Sequence, residues 1–227
     1  MTKTSKLIIF DLFDTILDKV WFDYDKVLDC LHDRYFGTFE KESVCGWASE
    51  FRRENMLDRN ITNKEVSFID QLLYFEEKTG IRFPDEYSSI EWDVFNICRS
   101  ERIGHNVPEI LDHLMTKGYF LAILSNSIFS SGCLSKYLES FGLLHYFDKV
   151  YSSADLRIRK PSLVVFKRVC DDFEVEPSDT WFVGNNWEKD YIGSKNAGLN
   201  AVYYNRLGDQ RDGLVVSDLI ELKRIVG

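Results

Sequence analysis

The sequence predicts an α/β fold: a three-layer parallel sheet with helices on both faces, interrupted after its first strand by an all-helical insertion. Three observations carry this. Leu7-Ile8-Ile9-Phe10 is a continuous apolar run that stops at Asp11, and such a run reads as a strand buried on both faces. From about residue 106 onward, similar runs alternate with helical patterns, as strand–helix–strand units do. Between Thr15 and Gly104 no strand-like run bounded by turns is evident, while apolar residues such as Val66, Ile69, Leu72 and Leu73 recur at helical spacing.

The later strands are expected over residues 119–124, 149–151, 180–183 and 201–204. A helix over 108–117 would place Ile110, Leu111 and Leu114 on one face, with Gly118 as its stop. A helix over 161–173 would carry Pro161 in its first turn and turn Val164, Val165, Val169 and Phe173 inward. Further helices are expected over 187–197, ending at Gly198, and over 217–226. In the insertion, four helices are expected over 24–36, 42–57, 63–78 and 85–102, with breaks at Gly37, around 58–62 and from Gly80 to Pro84. The organisation expected is a core of residues 1–15 plus 105–227 and a helical cap of residues 16–104.

Composition sets bounds on function. The 227 residues suffice for a full core. The net charge of −9, from 37 acidic and 28 basic residues, argues against a nucleic-acid partner, whose backbone calls for a basic surface field. A small anionic substrate stays open, because a local cluster of lysine, backbone N–H groups and a metal overrides the global sign. Five cysteines are widely spaced without a C-x-x-C pair. Together with an N-terminal apolar run too short for a leader or a membrane span, they suggest reduced thiols in a cytoplasmic, non-membrane protein. The four histidines lack H-E-x-x-H spacing, so no zinc site is expected.

In open α/β sheets, ligands bind beyond the carboxyl ends of the strands. Asp11-Leu12-Phe13-Asp14-Thr15 follows the first strand, Ser125-Asn126-Ser127 the second, and Gly184-Asn185-Asn186 the fourth, with Asp190 just beyond; Lys160-Pro161 follows the third. A carboxylate, a hydroxyl, an amine and a metal-capable Asn/Asp pair are thus expected on one rim. That set suits phosphoryl transfer. A carboxylate can attack phosphorus to give an acyl phosphate, Mg²⁺ takes oxygen ligands and neutralises phosphoryl charge, and lysine and serine supply donors to the non-bridging oxygens.

These stretches resemble the four motifs of the haloacid dehalogenase superfamily, in order. Residues 8–15 match the first, 124–126 the second, Arg159-Lys160-Pro161 the third and 182–190 the fourth; Ser194-Lys195-Asn196-Ala197-Gly198 also fits the usual continuation. The resemblance spans about residues 6–15 and 105–205. It implies a Rossmann-like core with a helical cap. It also implies Asp11 as nucleophile, Ser125 and Asn126 at the phosphate, and Lys160 holding nucleophile and substrate. Mg²⁺ would be bound by Asp11, the Phe13 carbonyl, Asn185 and Asp190, with Glu188 a weaker candidate. The substrate implied is a small phosphorylated metabolite.

Two positions depart from the pattern. Phe13 stands where family phosphatases carry the aspartate that protonates the leaving group, and Asp14 lies one residue late, taking that role only if the loop is re-aimed. Asn185 replaces a metal-binding aspartate, so the Mg²⁺ site should be weaker. Lack of the second aspartate is shared by the superfamily's metal-free 2-haloacid dehalogenases. Against that reading, Phe166 stands six residues after Lys160, where dehalogenases tend to have tyrosine, and Gly184-Asn185 replaces their Ser-Ser-Asn type of stretch. A catalytically impaired relative acting as a binding or regulatory module is the third reading.

Other conspicuous residues have plainer explanations beside functional ones. Trp21, Trp47 and Trp92 are expected in the cap core, Trp187 under the metal loop, and Lys189 in solvent. Arg52-Arg53 and the pair Arg99 and Arg102 fit a solvated helix face, with reach to an anionic substrate as the alternative. Cys133 and Cys170 are expected as buried thiols.

Overall fold

The computed structural model describes residues 6–57, 59–206, 208 and 211–226. Its main sheet has six parallel strands: β1 (Leu7–Phe10), β4 (Phe120–Ser125), β5 (Lys149–Ser152), β6 (Thr180–Gly184), β7 (Asn200–Tyr204) and β8 (Val215–Val216), in the order β5-β4-β1-β6-β7-β8. The chain builds outward from β1 through β4 to β5, then returns to β6 on the other side. β1 therefore lies at the switch point, where a crevice opens at the strand ends. Phe10 is in register with both Ile123 and Val183, so those ends are level.

Every residue of β1 is fully buried, because both faces are covered. Ile8 and Phe10 join a core with Ile110, Leu111 and Leu114 of the helix Val107–Thr116, and with Leu134 and Leu138 of Ser131–Ser140. Leu7 and Ile9 point the other way, to Val165, Phe166 and Val169 of the helix Leu163–Phe173. Alternation along one strand thus serves two helical layers.

The helix after Lys160 corrects the expectation. It begins at Leu163 with Ser162 as its N-cap, and Pro161 lies outside it, joined to Lys160 by a cis peptide. This start rotates the buried stripe to Val165, Phe166, Val169 and Cys170, leaving Val164 58 % exposed. The helix Ser131–Ser140, absent from the sequence reading, has a small-residue first turn behind its Ser130 cap and buries Cys133, Leu134, Tyr137 and Leu138. At the C-terminus only Leu222–Ile225 is α-helical, after a 3₁₀ turn at Leu219–Glu221.

Among the described residues of 16–104, the helices are Asp25–Leu31, continued by a π-helical turn at His32–Phe36, then Lys41–Met56, Arg59–Thr62, Phe68–Thr79 and Tyr87–Ile97. The expected break around 58–62 thus holds a short helix, and Asp58 lies outside the described residues. Phe36, Trp47, Phe75 and Phe83 pack edge to face at their centre. The helix expected from residue 63 starts at Phe68, where Ser67 and Asp70 form a reciprocal capping box.

The absence of strands expected between Thr15 and Gly104 is wrong. β2 (Leu17–Phe22) and β3 (Arg99–Ile103) form an antiparallel ribbon, bulged between Lys19 and Trp21, through which both crossings between the helices and the sheet run. The helix expected over 85–102 therefore stops at Ile97, and Arg99 and Arg102 are strand residues. Trp21 is likewise on β2 and 37 % exposed rather than in the helical core. Trp47 and Trp92 do pack against the main core cluster.

Candidate active site

Each functional side chain is fixed by the strand that delivers it. Asp11 leaves β1 with its N–H donating to Val183 O at 2.9 Å, so its backbone is tied to β6. Ser125 is the last residue of β4. Asn126 binds the Lys160 backbone at both ends: its Nδ2 donates to Lys160 O and its Oδ1 accepts from Lys160 N, both at 2.9 Å. The amide expected to touch substrate is thus also the anchor of the lysine.

Beyond β6, the π-helical turn Trp187–Ile192 carries Asp190 inward. Asp190 Oδ2 accepts from Asn186 N at 2.9 Å. Gly184 makes room for it, since a Cβ there would come within 2.5 Å of Asp190 Oδ2. Trp187, the first residue of that turn, stacks on Tyr191 with centroids 4.4 Å apart and meets Tyr203 edge-on at 5.2 Å.

These groups meet in one cleft of about 190 Å³, lined by Asp11, Phe13, Asp14, Ser125, Asn126, Lys160, Asn185, Asn186, Lys189 and Asp190. Lys160 Nζ is buried, 2.7 Å from Asp11 Oδ1 and 2.8 Å from Asp190 Oδ1. The Asp190 contact is a charge contact rather than an aligned hydrogen bond, and Asp190 Oδ1 has no hydrogen-bond partner among the described residues. Ser125 Oγ is likewise buried without a partner, and an unsatisfied buried hydroxyl calls for an explanation such as a bound ligand.

Burial pushes the Asp11 carboxyl up to about 6, with Lys160 opposing and the Asp190 charge adding to the rise. Burial works against the Lys160 charge, but the two carboxylates outweigh it and hold its pKa above the ordinary value. Lys189, expected in solvent, lines the cleft; burial and the nearby Arg159 guanidinium hold its pKa down.

Phe13 turns its ring under Arg99, whose guanidinium carbon is 3.9 Å from the ring centroid. Asp14 takes a left-handed conformation, φ 60°, and lines the cleft. Its Oδ1 accepts from Lys19 N at 3.1 Å and its carbonyl accepts from Arg206 at 3.0 Å, so the residue closes the turn into β2.

No three His, Cys, Asp or Glu side chains among the described residues stand together as a metal site. Glu188 is exposed and does not line the cleft. The residues of the cleft that could hold a metal through oxygen are then Asp11, Asp190, Asn185 and, by its carbonyl, Phe13. Hard oxygens with two carboxylates fit Mg²⁺, which keeps several waters, and do not fit Zn²⁺.

A second buried cluster, unforeseen from the sequence, lies beside the first. Glu65 accepts from Arg59 at 2.7 Å and from Ser153 Oγ at 2.8 Å, with Arg159 at 3.8 Å. Arg159 adjoins Lys160 in the third motif, but nothing local marks Glu65.

The switch point of the parallel sheet thus gathers a buried carboxylate, a buried ammonium and an unsatisfied hydroxyl, a set that could bind a small anion. A sequence profile of the haloacid dehalogenase-like hydrolases matches residues 8–204, and the chain belongs to that family. It is 30 % identical over 131 residues to a glyceraldehyde 3-phosphate phosphatase of Methanothermobacter thermautotrophicus, covering 53 % of this chain and 57 % of that one. The chain thus spans little more than half that relative's length. It is 24 % identical to (S)-2-haloacid dehalogenase 4A of Burkholderia cepacia over 92 % of this chain and 87 % of the other. The 2-haloacid dehalogenase structure of Pseudomonas syringae superposes with a TM-score of 0.70 at 21 % identity, covering 100 % of this chain and 98 % of that one, a likeness of fold. Among the described residues no helix is long and apolar enough to cross a membrane.

Proposed function

We propose that the protein is a Mg²⁺-dependent phosphatase of a small phosphorylated metabolite, working through an acyl phosphate at Asp11. The observation that carries this is the unpartnered Ser125 hydroxyl in one cleft with the Lys160 ammonium and the Asp11 carboxylate. Two donors and a carboxylate suit a tetrahedral oxyanion. The phosphatase among the relatives gives the reading further support.

Asp11 attacks phosphorus as its carboxylate, the ester P–O bond breaks, and the leaving oxygen takes the bonding electrons. Water then attacks phosphorus, regenerating Asp11 and releasing inorganic phosphate. Lys160 orients the carboxylate and, with Ser125, stabilises charge on the non-bridging oxygens. Bound Mg²⁺ would supply Lewis-acid neutralisation of the phosphoryl charge, held by Asp11, Asp190, Asn185 and the Phe13 carbonyl.

Phe13 offers no proton to the leaving oxygen. General acid catalysis contributes about 10²–10⁴-fold, so esters with good leaving groups, aryl or acyl phosphates, should be favoured over alkyl ones. The test is kcat/KM for aryl and alkyl phosphates across a Mg²⁺ titration. Equal values for the two classes, or turnover indifferent to Mg²⁺, would count against the reading.

Phe13 also favours a second reading, metal-free dehalogenation of a 2-haloacid through an ester at Asp11, since departing halide needs no proton. Halide release from 2-chloropropionate without Mg²⁺ would establish it. Silence in both assays, with ligand binding intact in Asp11→Asn, would leave a binding or regulatory protein.

A further inference from the structure

Next to the catalytic cleft lies a larger pocket of about 330 Å³, formed between the β2–β3 ribbon, the helices of the insertion and the loop after β4. Phe13 and Asn126 line both cavities, so a group leaving phosphorus beside Asp11 has this pocket to occupy. The volume lies at the small end of ligand-binding cavities.

Two features define what it accepts. Phe13, Phe22 and Tyr24 present ring surface, and Arg52, Arg59 and Arg99 present three guanidinium groups, while no carboxylate among the described residues lines the pocket. Arg99 is answered by Glu101 at 2.8 Å and Arg59 by Glu65, yet Arg59 Nε stays buried without a partner. Arg52 lies 4.9 Å over the Tyr24 ring, with only a long 3.4 Å contact from Nε to Ala48 O. No carboxylate pairs with Arg52 among the described residues. In a protein of net charge −9, Arg52 is thus the pocket's cation left without a carboxylate partner among the described residues, while Glu101 and Glu65 balance the other two.

We propose that this pocket is the leaving-group subsite, and that it takes a flat aromatic body bearing a second anionic group, a carboxylate or a phosphate. The substrate class is then an anionic aryl phosphate. The proposal rests on the phosphatase reading above and deepens it. Phe13 withholds a proton from the leaving oxygen and at the same time forms a wall suited to an aryl ring, whose phenolate departs without one. Rings stack on aromatic and guanidinium faces, and guanidinium pairs with carboxylate or phosphate through two parallel hydrogen bonds.

The experiment compares phenyl phosphate, para-carboxyphenyl phosphate and para-phosphonophenyl phosphate on the wild type, Arg52→Gln and Arg52→Lys. A charge-assisted hydrogen bond corresponds to roughly tenfold or more in kcat/KM. The anionic esters should exceed phenyl phosphate by about that factor. Arg52→Gln should shrink the preference and Arg52→Lys restore part of it. Whichever anionic ester is preferred distinguishes carboxylate from phosphate. Equal kcat/KM for all three esters, or a preference undiminished in Arg52→Gln, overturns the proposal. Arg52 is exposed, and matching melting curves confirm that the variants fold.

Calorimetric binding of the same esters to Asp11→Asn separates the two claims. If the wild type hydrolyses none of them, the phosphatase reading fails. The subsite then stands if the anionic esters bind about tenfold tighter than phenyl phosphate, and falls if all three bind alike.

Discussion

The sheet rim and the pocket beside it both use cationic side chains, but they hold them in opposite ways. At the rim, Lys160 is buried between Asp11 and Asp190, its backbone is clamped by Asn126, and Asp190 is tied to the Asn186 amide. Its lysine is paired before any ligand arrives. In the pocket, Arg52 extends from an exposed helical position over an aromatic ring, without a carboxylate partner among the described residues. The rim holds its side chains in fixed pairings and tolerates little change. The pocket leaves charge for a ligand to complete and can be retuned one side chain at a time.

The largest effect should come from the rim. Asp11→Asn should lower kcat by at least about 10⁴-fold, as removal of a nucleophile does, with the fold retained by melting. Ser125→Ala should follow at about 10²–10³-fold in kcat, the loss on removing one oxyanion donor. Retention of most activity by either variant would erase the distinction between rim and pocket.

The Glu65 cluster joins the two regions and tests them through stability. Its side chain is fully buried against Arg59, with Arg159 close by. Glu65→Gln should lower stability by about 3 kcal/mol, because an uncompensated buried charge remains. Denaturant midpoints check this, and a change under about 0.5 kcal/mol, the range of ordinary surface substitutions, would mark the cluster as solvated.

Asp11 also gives a pH signature. Its folded value of about 6 lies above the ordinary 3.8, so the folded state binds the proton more tightly than the unfolded chain. Its contribution to stability is present below the unfolded value and lost as pH rises through about 6. In metal-free protein, the stability of Asp11→Asn relative to wild type should therefore increase between about pH 4 and about pH 6 and level off above that. Activity should decline as pH falls and the attacking carboxylate is protonated, with Mg²⁺ moving that limb lower. A flat stability difference would mean that Asp11 is not held in a desolvated cleft.

The smallest effect is expected at the turn between the two regions. Asp14 uses Oδ1 to accept the Lys19 amide, which an asparagine carbonyl also does. Asp14→Asn should change kcat by no more than about threefold, far below the 10²–10⁴ of a general acid or base. A larger loss would restore Asp14 to the role that Phe13 vacates.

The same contrast governs what the sequence reveals. β1, β4 and β6 are legible because burial on both faces leaves apolar runs, and the site residues are legible because they stand at the ends of those runs. The β2–β3 ribbon is hidden because its buried positions include acids: Asp18 meets Arg206, and Glu101 meets Arg99 and Tyr137. Paired buried charges erase the alternation that marks a strand. The early start expected for the Phe68 helix is a missed local signal, since Ser67-x-x-Asp70 is a capping pattern. Arg99 over Phe13 and Glu65 against Arg159 join distant parts of the chain, and no local spacing announces such pairs.

With no side chain assigned to activate water, breakdown of the acyl phosphate should be slow and the intermediate should accumulate. Rapid quenching of the enzyme with an aryl phosphate and Mg²⁺, followed by mass analysis of the peptide containing Asp11, tests this directly. The expected result is a phosphoryl group on Asp11 that is absent from Asp11→Asn. Phosphate release during turnover with that peptide unmodified throughout would contradict it.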